Sequence, residues 1–130
     1  MIKSISGGFI MNLDTFIGSL KKYAVFTGRA SRREFVNFIL WYLIIAFAVG
    51  FFEGLFFPEF VLVTGQSMLG NIYTIALILP SISVEIRRMH DVGKSGWYSL
   101  IPIYNLVLAF TKGDEKENQY GSNPEATNNR

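Results

Sequence analysis

FVNFILWYLIIAFAVGFF, residues 35–52, runs for 18 positions without a charged side chain. A bilayer core of roughly 30 Å is crossed by about 20 mostly apolar helical residues. The stretch can continue past Glu53 to residue 57, where Pro58 ends it. A helix over 35–57 measures about 35 Å at 1.5 Å per residue, enough to span with tilt. A soluble surface helix of this length would show a polar face, and this one offers little beyond Asn37.

Two further charge-free gaps follow, residues 60–84 and 95–111. In the first, Thr64-Gly65-Gln66-Ser67 reads as a turn and Gly70-Asn71 as a soft helix start, which predicts a span over 68–88. Pro80 falls mid-span, where a membrane helix tolerates it if neighbours satisfy the freed carbonyl. The second gap contains Pro102 and Asn105. Its residues 97–111 give about 22 Å of helix, so a third segment over 96–111 is expected to be short, and kinked or re-entrant. The fold class is therefore all-α: an integral membrane protein with three transmembrane helices and an N-terminal amphipathic interfacial helix. That helix is read from Leu13, Phe16, Ile17, Leu20, Tyr23 and Ala24 at helical spacing, with Asp14, Ser19, Lys21 and Lys22 on the other face.

Composition agrees. The chain has 130 residues, of which 50% are hydrophobic and 17% charged, and its mean hydropathy is +0.30. That excludes disorder over most of the length and leaves room for one domain. With no cysteine there is no disulfide, thiolate metal site or cysteine nucleophile, and a single His excludes a multi-histidine metal centre. No metal, cofactor or catalytic constellation is expected. The first residues lack the apolar stretch of a cleavable signal. Met11 is a second candidate start, so residues 1–10 read as an upstream extension, 11–124 as one membrane domain and 125–130 as a disordered tail.

The charges report orientation. Six Lys and Arg precede the first span (Lys3, Lys21, Lys22, Arg29, Arg32, Arg33). None lies between the first two spans, where Glu53 and Glu59 stand. Arg87, Arg88 and Lys94 follow the second span, and Lys112, Lys116 and Arg130 follow the third segment. With three spans and the N-terminus inside, nine basic residues are cytoplasmic and three are not. If the third segment is re-entrant, all twelve are cytoplasmic.

Two basic clusters carry the remaining information. In GRASRREF, residues 28–35, Ser31 and Glu34 form the S-x-x-E of a reciprocal capping box, which starts the first span. Arg29, Arg32 and Arg33 crowd that helix N-terminus against its dipole, so lipid phosphates or acidic side chains are expected to compensate. RRMHDVGKSGW, residues 87–97, gathers Arg87, Arg88, His90, Asp91 and Lys94. Its GKS lacks the upstream glycine of a phosphate-binding loop, and its His-Asp pair lacks a second metal-binding histidine. Because antiparallel spans bring the start of one beside the end of the other, the two clusters should meet, with Glu34 and Asp91 each bridging an arginine of the other segment. Glu85 can pair with Arg88 one turn on. Ala46, Gly50 and Gly54, four residues apart, form a small-residue face for helix packing.

With the closing ENQYGSNP, residues 117–124, the pattern resembles the bacterial inner-membrane family filed as domain of unknown function 805. Gly28, Arg29, Arg32, Glu34 and Phe35 match its G-R-x-x-R-x-E-aromatic. Arg87, Arg88, His90, Asp91, Gly93, Ser95, Gly96 and Trp97 match its R-R-x-H-D-x-G-x-S-G-W. Glu117, Asn118, Tyr120, Gly121, Asn123 and Pro124 match its E-N-x-Y-G-x-N-P. Val36 departs from a usual aromatic, and Glu115-Lys116 from usual small residues. The resemblance implies a small multi-pass inner-membrane protein and implies no activity.

Three functions compete on this reading. The first is a non-enzymatic interaction, regulatory or lipid-binding protein. Its partners would be anionic headgroups on the cytoplasmic side and either a second copy or another membrane protein, with no nucleic acid. The second is a subunit of a small oligomeric transporter or channel, for which only Gln66, Asn71, Glu53 and Glu85 offer themselves. The third is a headgroup-level enzyme that uses His90 and Asp91. Arg29, Arg32, Arg33, Glu34, Arg87, Arg88, His90, Asp91 and Lys94 are the headgroup or ionic-network candidates. The alternative for the arginines is that they set topology only.

Overall fold

The computed structural model describes residues 11–125. The upstream extension, 1–10, lies outside them, and so does the tail except for Glu125. In chain order the elements are α1 (Leu13–Lys21), α2 (Arg32–Phe56), α3 (Pro58–Thr64), α4 (Met68–Asp91), a 3-10 turn (Gly96–Leu100) and α5 (Tyr104–Phe110). Among the described residues there is no strand, only an isolated bridge between Asn118 and Gly121.

Helices α2 and α4 form an antiparallel hairpin. At 25 and 24 residues, each is about 36 Å long at 1.5 Å per residue, and both are long and apolar enough to cross a membrane. Only 17% of the apolar window of either is buried inside the chain. The apolar surface thus has almost no protein cover, unlike the core helix of a soluble bundle. The first span ends as its sequence indicates: Phe57 breaks the helix and Pro58 opens α3 at its first turn, where a missing N–H costs nothing.

Few polar groups lie along the hairpin, and each closes a seam. Near the far end, the Glu53 carboxylate accepts from the amides of Met68 (2.8 Å) and Leu69 (3.2 Å) and from the Ser67 hydroxyl. One helix therefore supplies the cap that the N-terminus of the other needs. In mid-hairpin, Tyr73 donates its hydroxyl to the Tyr42 carbonyl at 2.8 Å. Toward the charged end, the Ser83 hydroxyl reaches the carbonyls of Lys22 (2.6 Å) and Val25 (2.7 Å). This fastens the α1–α2 connection to α4.

Helix α1 lies across the charged end of the hairpin. Phe16 packs between Phe38 and Trp41, with ring centroids 5.4 and 6.2 Å away. Asn37, the polar exception in the first span, is 2% exposed. It accepts from the Asn12 amide at 2.7 Å and donates to the Asn12 carbonyl at 2.9 Å, while Asn12 itself caps α1. The apolar face of α1 splits in two. Phe16 is buried against the hairpin, whereas Leu13 and Ile17 are exposed. The helix stops at Lys21, so Tyr23 and Ala24 lie beyond it and not on its face.

Residues 96–111, expected as a short third segment, form no single helix. The chain makes one 3-10 turn, breaks at Ile101-Pro102-Ile103 and resumes as the seven-residue α5, about 10 Å long. Pro102 cannot continue a helix, and Ile103 adopts φ +69°, a left-handed conformation unusual for a β-branched residue. Asn105 donates to Glu85 (3.0 Å) and to the Ser99 carbonyl (2.8 Å), which holds this broken segment against α4.

Replacing Asn37 with Leu keeps bulk but removes the two hydrogen bonds that its side-chain amide makes to the Asn12 backbone. The expected cost is about 1–3 kcal/mol, read as a lowered unfolding midpoint in detergent. An unchanged midpoint would show that α1 is not anchored by this amide.

Candidate functional site

The start of α2, the end of α4 and residues 111–125 converge at one end of the hairpin, and Asp91 is at their centre. This carboxylate is 3% exposed. Its Oδ1 accepts from Arg29 Nε at 2.8 Å, and its Oδ2 accepts from Arg88 one turn earlier on α4. Burying a lone carboxylate would be costly, and two fork-shaped cations remove that cost.

Both arginines are otherwise consumed by backbone. Arg29 Nη1 donates to the carbonyls of Lys116 (3.0 Å) and Gly121 (3.1 Å), and Nη2 to those of Asp114 (2.5 Å) and Asp91 (3.4 Å). A guanidinium has five N–H donors, and Arg29 places all of them. Arg88, 0% exposed, donates from Nε to the Ala109 carbonyl (2.8 Å), from Nη1 to Ala30 (3.0 Å) and from Nη2 to Thr111. These two side chains tie α2, α4, α5 and the tail into one body.

The tail closes over this centre. Asp114 donates its amide to the Asp91 carbonyl at 2.7 Å. Gly113 is required there, since a Cβ would stand 1.9 Å from Asp91 Oδ2. Asn118 donates to the His90 carbonyl (3.0 Å) and to Asp114 Oδ2 (2.9 Å). Tyr120 stacks on His90 with centroids 3.9 Å apart and planes 2° from parallel.

His90 Nδ1 lies 2.9 Å from the Gly28 carbonyl. A carbonyl only accepts, so Nδ1 carries the proton. Gly28 presents that carbonyl with φ +85°, a conformation open to glycine. The His-Asp neighbours therefore face different partners and form no mutual hydrogen bond.

Glu34 joins the other side of the site. It accepts from Arg87 Nη1 and from the Ser19 hydroxyl, both at 2.9 Å. The reciprocal capping box is thus half made. Ser31 caps the Glu34 amide at 3.0 Å, but the Glu34 carboxylate turns to Arg87 and α1 instead of returning to Ser31. The charged partner outcompetes a neutral amide. Arg87 is 1% exposed, and its Nε and Nη2 have no partner among the described residues.

The structure brings together Arg29, Glu34, Arg87, Arg88, His90 and Asp91, and leaves three candidates outside this core. Arg32 is exposed and donates one bond, to the Phe110 carbonyl at 3.2 Å. Arg33 is exposed and unpartnered among the described residues. Lys94 sits over the Tyr98 ring at 5.7 Å. Two expectations are corrected. Arg29, Arg87 and Arg88 are buried, so none can serve as a surface clamp for a headgroup. Glu85 pairs with Asn105 and not with Arg88, because Asp91 holds Arg88 on the opposite turn. Ala46 is half-buried, and Gly50 and Gly54 are exposed with open space where a Cβ would stand, so no described residue closes on that part of the small-residue face. The backbone acceptors and Gly113 were not legible in the sequence, since carbonyls leave no residue-type signal. A glycine beside an aspartate near the tail motif was the one available hint.

Residues 23–122 match the family described as protein of unknown function (DUF805). The chain belongs to DUF805. Its relatives include the inner membrane protein YhaH of Escherichia coli (strain K12), 33% identical over 119 residues, which cover 86% of this chain and 97% of that protein. The inner membrane protein YhaI of the same organism is 30% identical over 123 residues, covering 88% and 98%. No solved structure matches. The family's motif residues, as they stand in this chain, are largely the groups that build the Asp91 centre: Gly28 and Arg29, Arg88 through Asp91, and Asn118 through Gly121.

Asp91→Asn would leave two buried guanidiniums without a countercharge. Breaking a buried pair in this way costs about 3–5 kcal/mol, so folded protein recovered from membranes should fall sharply. Gly113→Ala should expose the tail to proteolysis at an unchanged sequence charge. Wild-type protease resistance in both variants would show that the centre does not organise the tail.

Proposed function

We propose that the protein is a two-span inner-membrane protein that works without catalysis. In this reading it presents a folded platform on the cytoplasmic side to anionic headgroups and to other membrane proteins. The convergence of all described cations at one end of the hairpin supports the reading. Residues 57–67, which link the spans at the other end, carry no Lys or Arg. The positive-inside rule then favours a cytoplasmic platform with both flanking segments inside.

The broken 96–111 segment fits an interfacial position better than a span. Trp97, Leu100 and Ile103 are 78%, 71% and 76% exposed, yet α5 is far too short to cross. Helix α1 offers Leu13 and Ile17 together with exposed Lys21 and Lys22, the composition of an interfacial helix. Exposed Gly50 and Gly54 leave a face on α2 that another membrane helix can approach closely.

The competing readings lose the groups they needed. Glu53 is committed as the cap of α4 and Glu85 to Asn105, which weighs against transport. His90 and Asp91 are committed to Gly28 and to two arginines, which weighs against headgroup-level catalysis.

The cysteine-free sequence makes topology directly measurable. In intact spheroplasts, a Cys at Gln66 should react with an impermeant maleimide, and a Cys at Ser122 should react only after permeabilisation. Outside labelling of both positions would restore a third span. Protection at 66 with labelling at 122 would reverse the orientation.

A further inference from the structure

A cleft of about 250 Å³ opens on the charged end, lined by Arg32, Arg33, Asp91, Lys112, Gly113, Glu115, Asn123 and Glu125. It lies between the first turn of α2 and the returning tail. The volume is below the roughly 300–1,000 Å³ that a drug-sized molecule occupies, so its natural guest is a small polar group.

The electrostatics set the sign of that guest. Asp91, at the floor, already serves two buried guanidiniums, so the floor carries a net positive charge. Glu115 is paired with Lys112 at 2.9 Å. Arg33 has no partner among the described residues, and Arg32 uses one N–H donor on Phe110. Counted with the two guanidiniums beneath it, the cleft has five cations against Asp91, Glu115 and Glu125. The α2 dipole adds its positive end. The Asn123 side chain donates to the Glu115 carbonyl at 2.9 Å and takes the Glu125 amide on its own oxygen, which holds the outer wall in place. Two forked guanidiniums on successive residues suit the tetrahedral oxygens of a phosphate, which Arg binds in a two-pronged way. A metal cation is disfavoured, because the acids here are matched or outnumbered by cations.

We infer that this cleft is a binding site for a phosphate group, held by Arg32 and Arg33 and bounded by Lys112. The inference deepens the headgroup reading above. Of the candidate arginines it takes the exposed Arg32 and Arg33 and leaves out the buried Arg29, Arg87 and Arg88. The phosphate can belong to an anionic phospholipid of the surrounding leaflet or be free in the cytoplasm.

The test uses the full chain purified in mild detergent. Inorganic phosphate is titrated calorimetrically, and retained phosphatidylglycerol is quantified by mass spectrometry after nanodisc reconstitution. Parent and Arg32→Gln/Arg33→Gln are compared, with Lys112→Gln as a variant outside the helix. The double variant loses the charged hydrogen bonds to the phosphate oxygens and should bind roughly tenfold or more weakly. Lys112→Gln should weaken binding less. Loss in both arms assigns a phosphate site open to either source, and loss in the lipid arm alone assigns a headgroup site. Parent-like binding by a folded double variant would overturn the inference, and so would a parent that binds neither probe. The maleimide pattern at 66 and 122 is read on the same variants, so a failed cleft remains distinguishable from a failed topology.

Discussion

A carboxylate shared by two buried guanidiniums organises the charged end of this molecule. Asp91 neutralises Arg29 from the segment before α2 and Arg88 from its own helix. Neither cation could enter a buried site without it, and neither would be satisfied by it alone. The remaining donors take carbonyls from residues 30, 91, 109, 111, 114, 116 and 121. These acceptors belong to turns and broken helix, where carbonyls lack ladder partners. The arginines thus stand in for the regular hydrogen bonding that the 96–125 region does not make. Such a centre is costly to assemble and costlier to leave incomplete, which suits a role in fixing one arrangement of four segments.

The same logic governs the hairpin. A helix in lipid can leave no backbone group without a partner, and the polar side chains on the spans answer to that constraint. Glu53 supplies acceptors where α4 begins, Tyr73 reaches across to Tyr42, and Asn37 completes the start of α1. An acid near membrane depth invites a transport hypothesis. Here the geometry shows a cap.

The basic residues divide into two populations. Arg29, Arg87 and Arg88 are internal and structural, whereas Lys21, Lys22, Arg32, Arg33, Lys112 and Lys116 face outward and Lys94 is half-buried at the surface. Only the second group can meet a phosphate or a partner. The positive-inside rule counts both groups alike, because it reads charge along the chain and not burial. A motif rich in arginine can therefore carry a topology signal, a folding centre and a surface at once, on different residues.

The two long apolar helices were legible from the sequence alone, since length and absence of charge are one-dimensional properties. So was the meeting of the 28–35 and 87–97 clusters, which follows from antiparallel spans, and so was the family, from motif spacing. The third segment was legible only as irregular: Pro102 marks the break, but the bond from Asn105 to Glu85 that holds the segment on α4 had no signal in the sequence. The choice of partners was not legible. Glu34 prefers Arg87 to Ser31, Arg88 prefers Asp91 to Glu85, and Arg29 gathers carbonyls up to 92 residues away. Sequence spacing specifies which charges are near along a helix. Burial, which depends on how distant segments fold over one another, decides which of them must pair.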